Sequence, residues 1–450
     1  MVCDIIVVGG GASGLMAAFG AASAPVREGT APPRVVVLEK MPRPGRKIMI
    51  TGKGRCNFTN LKPWEEFSTH IRTKAAFVRP AFYNFDPQDC IDHIVRSGTK
   101  AVVERGDRAF PASYRSSDIV DALQNAAMKA GARIETGVEV KSIVCNDGSA
   151  GNIFMVSCSG SRTYSAPRLI IATGGLSYPA TGSTGDGYGW AKALGHSIKD
   201  CFPSLTAIVP KGYKNTSSRG HIARSTPLSD IGKSLCGNQL KNISISLYAG
   251  GDLLQSEFGD LDFTDGGIEG PIGFRISRSA VKSLVNGAKV SVVIDMKPQA
   301  PAEELLPRIS GFWNDISKTP AGRSTPIRQM LRMLLCKLMP QSLAGGFAAC
   351  HPEMLYGRKG NERIDFKAVV NALKNWRFDI DGYVGYERAV ITAGGVSTDE
   401  IVAKTMESRL RKGLYFCGEV LDIDADTGGY NLQLAFSTGY LAGQSAAKSL

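Results

Sequence analysis

What this chain lacks narrows its chemistry first. Its ten cysteines include no CxxC pair, which argues against a zinc site, a dithiol redox motif and a disulfide framework. Scattered single thiols suit a reducing, cytoplasmic compartment. The five histidines (70, 93, 196, 221 and 351) show no ligand spacing, so no metal is expected. No apolar run is long enough to cross a membrane, so no membrane partner is expected either. The nearest approach is Ile5 to Ala24, which ends on a cleavage-like Ala22-Ser23-Ala24. Asp4 and no cation stand before it, and five glycines interrupt it, so it reads as folded protein rather than as a signal peptide. Repeats, low-complexity tracts and a collagen-type glycine period are also missing.

What remains is a 450-residue chain, 43% hydrophobic and 21% charged. That is enough to bury a large core and too apolar for wholesale disorder. At roughly 150 residues per domain, it predicts about three domains or one domain with a large insertion. Glycine is in surplus, 51 of 450 residues, and the glycines cluster as doublets and triplets. Lys+Arg exceed Asp+Glu by 53 − 41 = 12. Such a balance suits phosphates or nucleic acid, although a solvated basic surface accounts for it as well.

The N-terminus reads strand, tight turn, helix. Asp4 to Val8 is a short apolar, β-branched run of the kind found in buried parallel strands. Gly9-Gly10-Gly11 breaks it, and an Ala- and Leu-rich helix follows from Ser13 to Ser23. Residues 24–33 form a loop, and Val35 to Leu38 is a second buried strand closed by Glu39. Residues 41–64 hold six cations and no acid. Helical patterns at 86–97 and 116–130 precede short β-like runs near 133–144, 152–158 and 163–172. From about 196 to 300 short alternating runs suggest an antiparallel sheet or barrel. Helical patterns return at 303–317, 323–338 and 365–375. After Gly394-Gly395 comes another buried strand, Leu414 to Cys417, and then a terminal helix from Leu432 to Lys448. The predicted fold is α/β. A Rossmann-like domain is built from both chain ends (1–195 and 395–450), and a β-barrel-like insert (196–394) carries a helical subdomain at about 303–375.

Gly9-x-Gly11-x-x-Gly14, with Ala12 and Ser13 between, is a GxGxxG fingerprint. Between a strand and a helix, with an acid ending the next strand, it points to a dinucleotide. Gly9 permits the turn, Gly11 lets the backbone approach a pyrophosphate, and Gly14 lets helix and strand close up. The helix N-terminus offers free N–H groups to the phosphates. Glu39 is placed to accept a ribose diol; its offset of 39 − 14 = 25 residues is long, and the 24–33 loop absorbs the excess. No second fingerprint exists, and both chain ends feed one domain, which favours FAD over a resident NAD.

Gly45-Arg46-Lys47 through Gly54-Arg55-Cys56-Asn57-Phe58-Thr59-Asn60 resembles the signature after the second strand of HI0933-like flavoproteins, the aminoacetone oxidase or BaiN-like group of NAD(P)/FAD-dependent oxidoreductases. Four further segments agree: Thr173-Gly174-Gly175 through Tyr188, Thr392 to Val396, Lys404 to Ser408, and Gly418-Glu419 through Gln433. The resemblance implies FAD extended across the split domain. Gly9 to Gly14 would hold the pyrophosphate, and Glu39 and Lys40 the adenosine ribose. Val140 would meet the adenine, with Thr173 and Gly174 flanking the ADP. Arg46, Lys47, Arg55, Cys56 and Asn57 would line the flavin side, and Gly418 and Glu419 the ribityl phosphate. Gly429, Tyr430, Asn431 and Leu432 would aim helix N–H groups at the flavin N1–C2=O edge, where reduction places negative charge. The protein would orient and tune while the flavin N5 transfers hydride. NADPH or NADH is expected as a transient co-substrate.

The chain departs from the family pattern at Asp265, where His is common, at Glu269, where Ser is common, and at Lys53 and Ala425, where Gly is usual. Tyr178, Asp265 and Glu269 are the candidate substrate contacts; packing for the tyrosine and solvated loop carboxylates for the acids are the plainer readings. Cys56 reads more simply as packing than as a redox thiol. The catalytic acid or base is not identifiable. A basic run from Arg323 through Arg328 and Arg332 to Lys337 reads by default as a solvated face. The expected activity is an FAD-dependent oxidoreductase reducing an activated C=C or C=O bond of a small organic molecule, with nucleic acid not expected as a partner. The alternatives are an amine oxidase passing electrons to O₂ and, from another class, a flavin-bearing RNA-modifying protein.

Overall fold

The computed structural model describes residues 1–25, 31–148, 151–320, 324–358 and 361–450. Residues 26–30 of the expected loop and Arg323 of the basic run lie outside the described residues. The chain forms two compact units, Met1–Phe202 with Val390–Leu450, and Pro203–Ala389. The sequence texture puts the boundaries at 195/196 and 394/395.

The first unit is a Rossmann-type layer structure. Ile5–Val8 runs parallel to Val35–Glu39 on one side and to Arg168–Ile171 on the other. Arg133–Thr136 and Leu414–Phe416 extend the parallel sheet at its two flanks, and two short antiparallel strands, Glu407–Ser408 and Ile401–Val402, finish one edge. Ile5, Ile6, Val7, Val35, Val37, Leu38, Leu169, Ile170 and Ile171 are all buried, because a parallel sheet is covered on both faces and must be apolar on both. The helices Ala12–Ala22 and Tyr430–Lys448 lie against each other. A Cβ on Gly439 or Gly443 would come within 2.2 or 2.0 Å of the carbonyl oxygen of Ser13 or Ala17, so the small residues of the last helix are a packing requirement. A three-stranded antiparallel sheet, Val140–Gly148, Gly151–Cys158 and Thr163–Ala166, branches off before the Arg168 strand.

His93, on the helix Pro87–Arg96, is packed beside Phe19 with ring centres 4.4 Å apart. Burial, helped by Arg96, pushes its pKa down to about 4. The folded state therefore binds fewer protons than the unfolded chain between that value and the ordinary 6.5. Stability is expected to fall as pH drops from about 6.5 towards 4, and His93→Phe to flatten that part of the profile; urea unfolding at stepped pH checks both.

The second unit closes on itself. Ile208–Pro210 pairs with Gly267–Glu269 on one side and with Trp376–Tyr383 on the other, while Gln239–Ala249, Asp252–Thr264 and Val290–Asp295 complete the ring. The result is a closed, antiparallel six-stranded barrel, which leaves no edge among these six strands unpaired. Leu240, Ile243, Ile245 and Leu247 point inward and are buried while intervening residues are exposed or half-buried, the two-residue period of a strand with one dry face.

Between Val290–Asp295 and Trp376–Tyr383 the chain inserts helices Ala302–Lys318, Ile327–Cys336, Gln341–Cys350 and Phe366–Lys374. The third of these was missed by pattern reading. Its Gly345-Gly346 pair weakens the helical signal, yet a Cβ on Gly346 would lie 2.8 Å from the Ser234 carbonyl oxygen, so close contact requires the small residue.

Candidate FAD site

The first unit gathers most of the predicted cofactor residues at the C-terminal edge of its parallel strands. Gly9 adopts φ +103°, and a Cβ there would sit 2.6 Å from the Ala172 carbonyl oxygen, beside Thr173. A Cβ on Gly14 would overlap the Gly9 carbonyl at 1.8 Å. Gly11 differs: it has an ordinary φ of −78°, caps the helix without a side-chain hydrogen bond, and faces open space within 4 Å. Two of the three fingerprint glycines are thus needed by the protein itself, and the third leaves room for something else. Ala12 and Ser13 begin the helix, and no side chain caps its first N–H groups.

Glu39 is buried at the end of its strand. Its two oxygens accept the Gly10 and Met41 amides, each at 2.7 Å. Burial raises its carboxyl above the usual range, and the two amides oppose that rise. Carboxylate oxygens keep further lone pairs for a ribose diol. Lys40 turns instead to Thr184 and Asp186, the latter at 2.7 Å. Val140 opens the antiparallel branch sheet. Gly174 adopts φ +71° next to Ser183.

Lys47, from the short helix Arg46–Met49, meets a network that the sequence did not reveal. Its ammonium donates to Ser177 and to Glu419 Oε2, the latter at 2.6 Å. Ser177 donates to the other oxygen of Glu419, which also accepts the Thr392 amide at 2.8 Å. Thr392 Oγ1 in turn accepts the Leu176 and Ser177 amides. Ser177 and Thr392 were absent from the predicted set, although both lie within or beside the matched motifs. Gly418 and Glu419 line a small open-sided cleft together with Ile391, Asn431, Leu434 and Thr438. Arg46 is exposed. Arg55 points elsewhere: it pairs with Glu104 and covers the rings of Phe110 and Tyr114. Cys56 is fully buried, and burial pushes its thiol up to about 12, so it is no thiolate at neutral pH.

The last helix begins at Tyr430 behind Gly429, whose φ is +95°, and no side chain caps it. Asn57 Oδ1 lies beside that cap, buried and without a hydrogen-bond partner. A buried orphan acceptor is costly unless something donates to it. Asn431 pins the preceding loop, holding both the amide and the carbonyl of Ala425; Leu432 is half-buried in the first turn. Asp426 is nearly sealed from solvent and accepts from Arg72 and His70. Its burial would raise its pKa, but those two partners hold it below the usual range. His70 lies flat on the Tyr430 ring at 4.3 Å.

Open space before Gly11, two uncapped helix N-termini and an orphaned Asn57 acceptor fit a dinucleotide flavin. Residues 3–445 match the HI0933-like protein Rossmann domain. The chain belongs to this family. It is an FAD-dependent oxidoreductase, as its sequence resemblance implied. This flavoprotein is 29% identical over 444 residues to the 3-dehydro-bile acid delta(4,6)-reductase of Clostridium scindens, covering 98% of each chain. It is 30% identical to the ribosomal RNA dihydrouridine synthase of Haemophilus influenzae, covering 97% of this chain and 96% of that one. The enzyme of the same name in Escherichia coli is also 30% identical, with 99% of each covered. Relatives named for ribosomal RNA remove the support for excluding nucleic acid as a partner. No helix among the described residues is long and apolar enough to cross a membrane.

In the second unit Asp265 and Glu269 are drawn together by Arg388, a residue the sequence did not single out. The guanidinium forks onto both oxygens of Glu269 and reaches Asp265 Oδ1 at 2.7 Å. Glu269 is buried, and Asp265 is more than half exposed. Tyr178, in the first unit, adopts the left-handed φ of +53°, a strained conformation for a tyrosine.

Proposed function

We propose that this flavoprotein saturates a carbon–carbon double bond conjugated to a carbonyl, using electrons from NADPH or NADH. One observation carries the proposal: relatives that align along almost the whole chain are named both for a delta(4,6)-reductase and for a dihydrouridine synthase. Both names describe hydrogen added across such a bond, one in a steroid-like ring and one in a pyrimidine. A common reaction with divergent substrates is what a family cradle with changed surroundings would produce.

FAD, when bound, supplies the hydride carrier. The chain's own residues hold and tune it. Gly9 to Gly14 and the helix behind them take the pyrophosphate, Glu39 the adenosine ribose, and Val140, Thr173 and Gly174 the rest of the ADP. Lys47, Ser177 and Glu419 form a hydrogen-bonded wall on the ribityl side. The uncapped N–H groups from Tyr430 onward face the flavin pyrimidine edge, where they stabilise negative charge. Tyr178 is the substrate-side candidate in this unit. The charge of Glu269 is compensated by the Arg388 guanidinium, which weakens its case as a contact for a cationic substrate. The net charge of +12 suits an RNA substrate, with the ring of a uracil as the reducible group.

Anaerobic NADPH or NADH is expected to bleach the flavin absorbance, and an enone steroid or a uridine-containing RNA to restore it under the same conditions. Absence of bleaching by either nucleotide sinks the reductase reading. Peroxide release with a small amine and O₂ would establish the oxidase in its place.

A further inference from the structure

The loop before the last helix carries a charged cluster that the FAD contacts leave unused. Residues 70–72 and 424–426 lie antiparallel. The Asp426 amide donates to the His70 carbonyl at 2.9 Å and the Arg72 amide to the Asp424 carbonyl at 2.8 Å. Asn431 ties that loop to the first turn of the helix by bonds to Ala425 and Asp426. The imidazole of His70 is held between Asp426 Oδ2, 3.0 Å from its Nδ1, and the ring of Tyr430, which Phe67 supports edge-on. His70 keeps about a quarter of its side chain exposed, and Asp426 is 3% exposed.

We infer that His70 is a positioning residue for flavin reduction: it takes up a proton at Nε2 as two electrons enter the cofactor, offsetting the negative charge placed at the first turn of the last helix. This rests on the FAD placement proposed above. Among the described residues, the charged and titratable groups on the segments packed against His70 are Asp426 and the buried Asp424 from the facing segment, Arg72 from its own segment and Tyr430 from the helix. With His70 neutral, Arg72 and Asp426 cancel. With His70 protonated, the cluster gains one positive charge. Asp426 is a buried anion at a helix N-terminus that must also accept the negative charge of the reduced cofactor. Two anions at one helix end repel, and a proton on His70, delivered from solvent through its exposed edge, relieves the repulsion without moving the backbone. The balance is two electrons and two protons, one proton going to the cofactor and one to His70. Dithionite or NADPH is the reductant.

The test is a redox titration of the holoprotein from pH 5.5 to 8.5. In the wild type the potential is expected to follow about two protons per two electrons over part of that range, and in His70→Gln about one throughout. Asp426→Asn, by removing the acceptor of Nδ1–H, is expected to move the two-proton region to lower pH. Visible flavin absorbance shows whether each variant still holds FAD, so loss of the cofactor and loss of the proton are read separately. The same slope in His70→Gln as in the wild type overturns the inference.

Discussion

Gly11→Val is expected to yield a folded protein that holds FAD far more weakly. The Cβ direction of Gly11 meets nothing within 4 Å, and its backbone already has an ordinary φ. The free protein therefore loses only a modest cap preference, about 1 kcal/mol or less. The holoprotein loses more, because the branched side chain would stand where the pyrophosphate approaches the helix N-terminus. Overpacking a fitted contact costs roughly 1–3 kcal/mol, so FAD is expected to bind about tenfold to 100-fold more weakly. Gly14→Ala is the contrasting case. Its Cβ would collide with the Gly9 carbonyl at 1.8 Å whether or not FAD is bound, so the fold itself should suffer. Visible absorbance of the purified proteins, with thermal unfolding of the cofactor-free forms, separates the two outcomes. An unfolded Gly11→Val, or one that keeps wild-type FAD affinity, would show that the space before Gly11 is not the cofactor's.

The second large effect lies in the barrel. Arg388→Met is expected to cost about 3–5 kcal/mol of stability, the usual range for breaking a buried ion pair from one side. Glu269 is held by the guanidinium fork, with the Arg388 and Glu269 side chains 15% and 9% exposed. Without the arginine its charge stays buried with no partner. Arg388→Lys should fall in between, because an ammonium cannot meet both oxygens of Glu269 in the same fork. Adding Glu269→Gln to Arg388→Met should recover much of the loss, since a neutral amide is cheaper to bury. Denaturant unfolding of the two single variants and the double variant measures the coupling directly. Additive losses would mean that Arg388 and Glu269 do not depend on each other.

The fold was largely legible because its signals are local. A β-branched run followed by Gly9-Gly10-Gly11 can hardly be anything but strand and turn, and the short alternating runs after about 196 became the barrel. The helix at Gln341–Cys350 escaped notice because its small residues answer to Ser234, a partner more than a hundred positions away. The candidate site was legible in its glycines and at Glu39. It was not legible in its polar pairs. Lys47 ends on Glu419 and Ser177, Lys40 on Asp186, Arg55 on Glu104, and Asp426 between His70 and Arg72.

The sequence by itself therefore determined the class of the protein, an FAD-binding α/β chain with a β-rich insert. Hydrophobic period and turn chemistry act over a few residues and need no partner to be recognised. Only the tertiary structure decided which charges are engaged and which backbone groups are left open. The carboxylates that looked like substrate contacts are clamped by an arginine about 120 residues further on, and the loop before the last helix is tied to a histidine more than 350 residues earlier. Charges attract whatever folding brings near them, and that proximity is not written in their spacing along the chain.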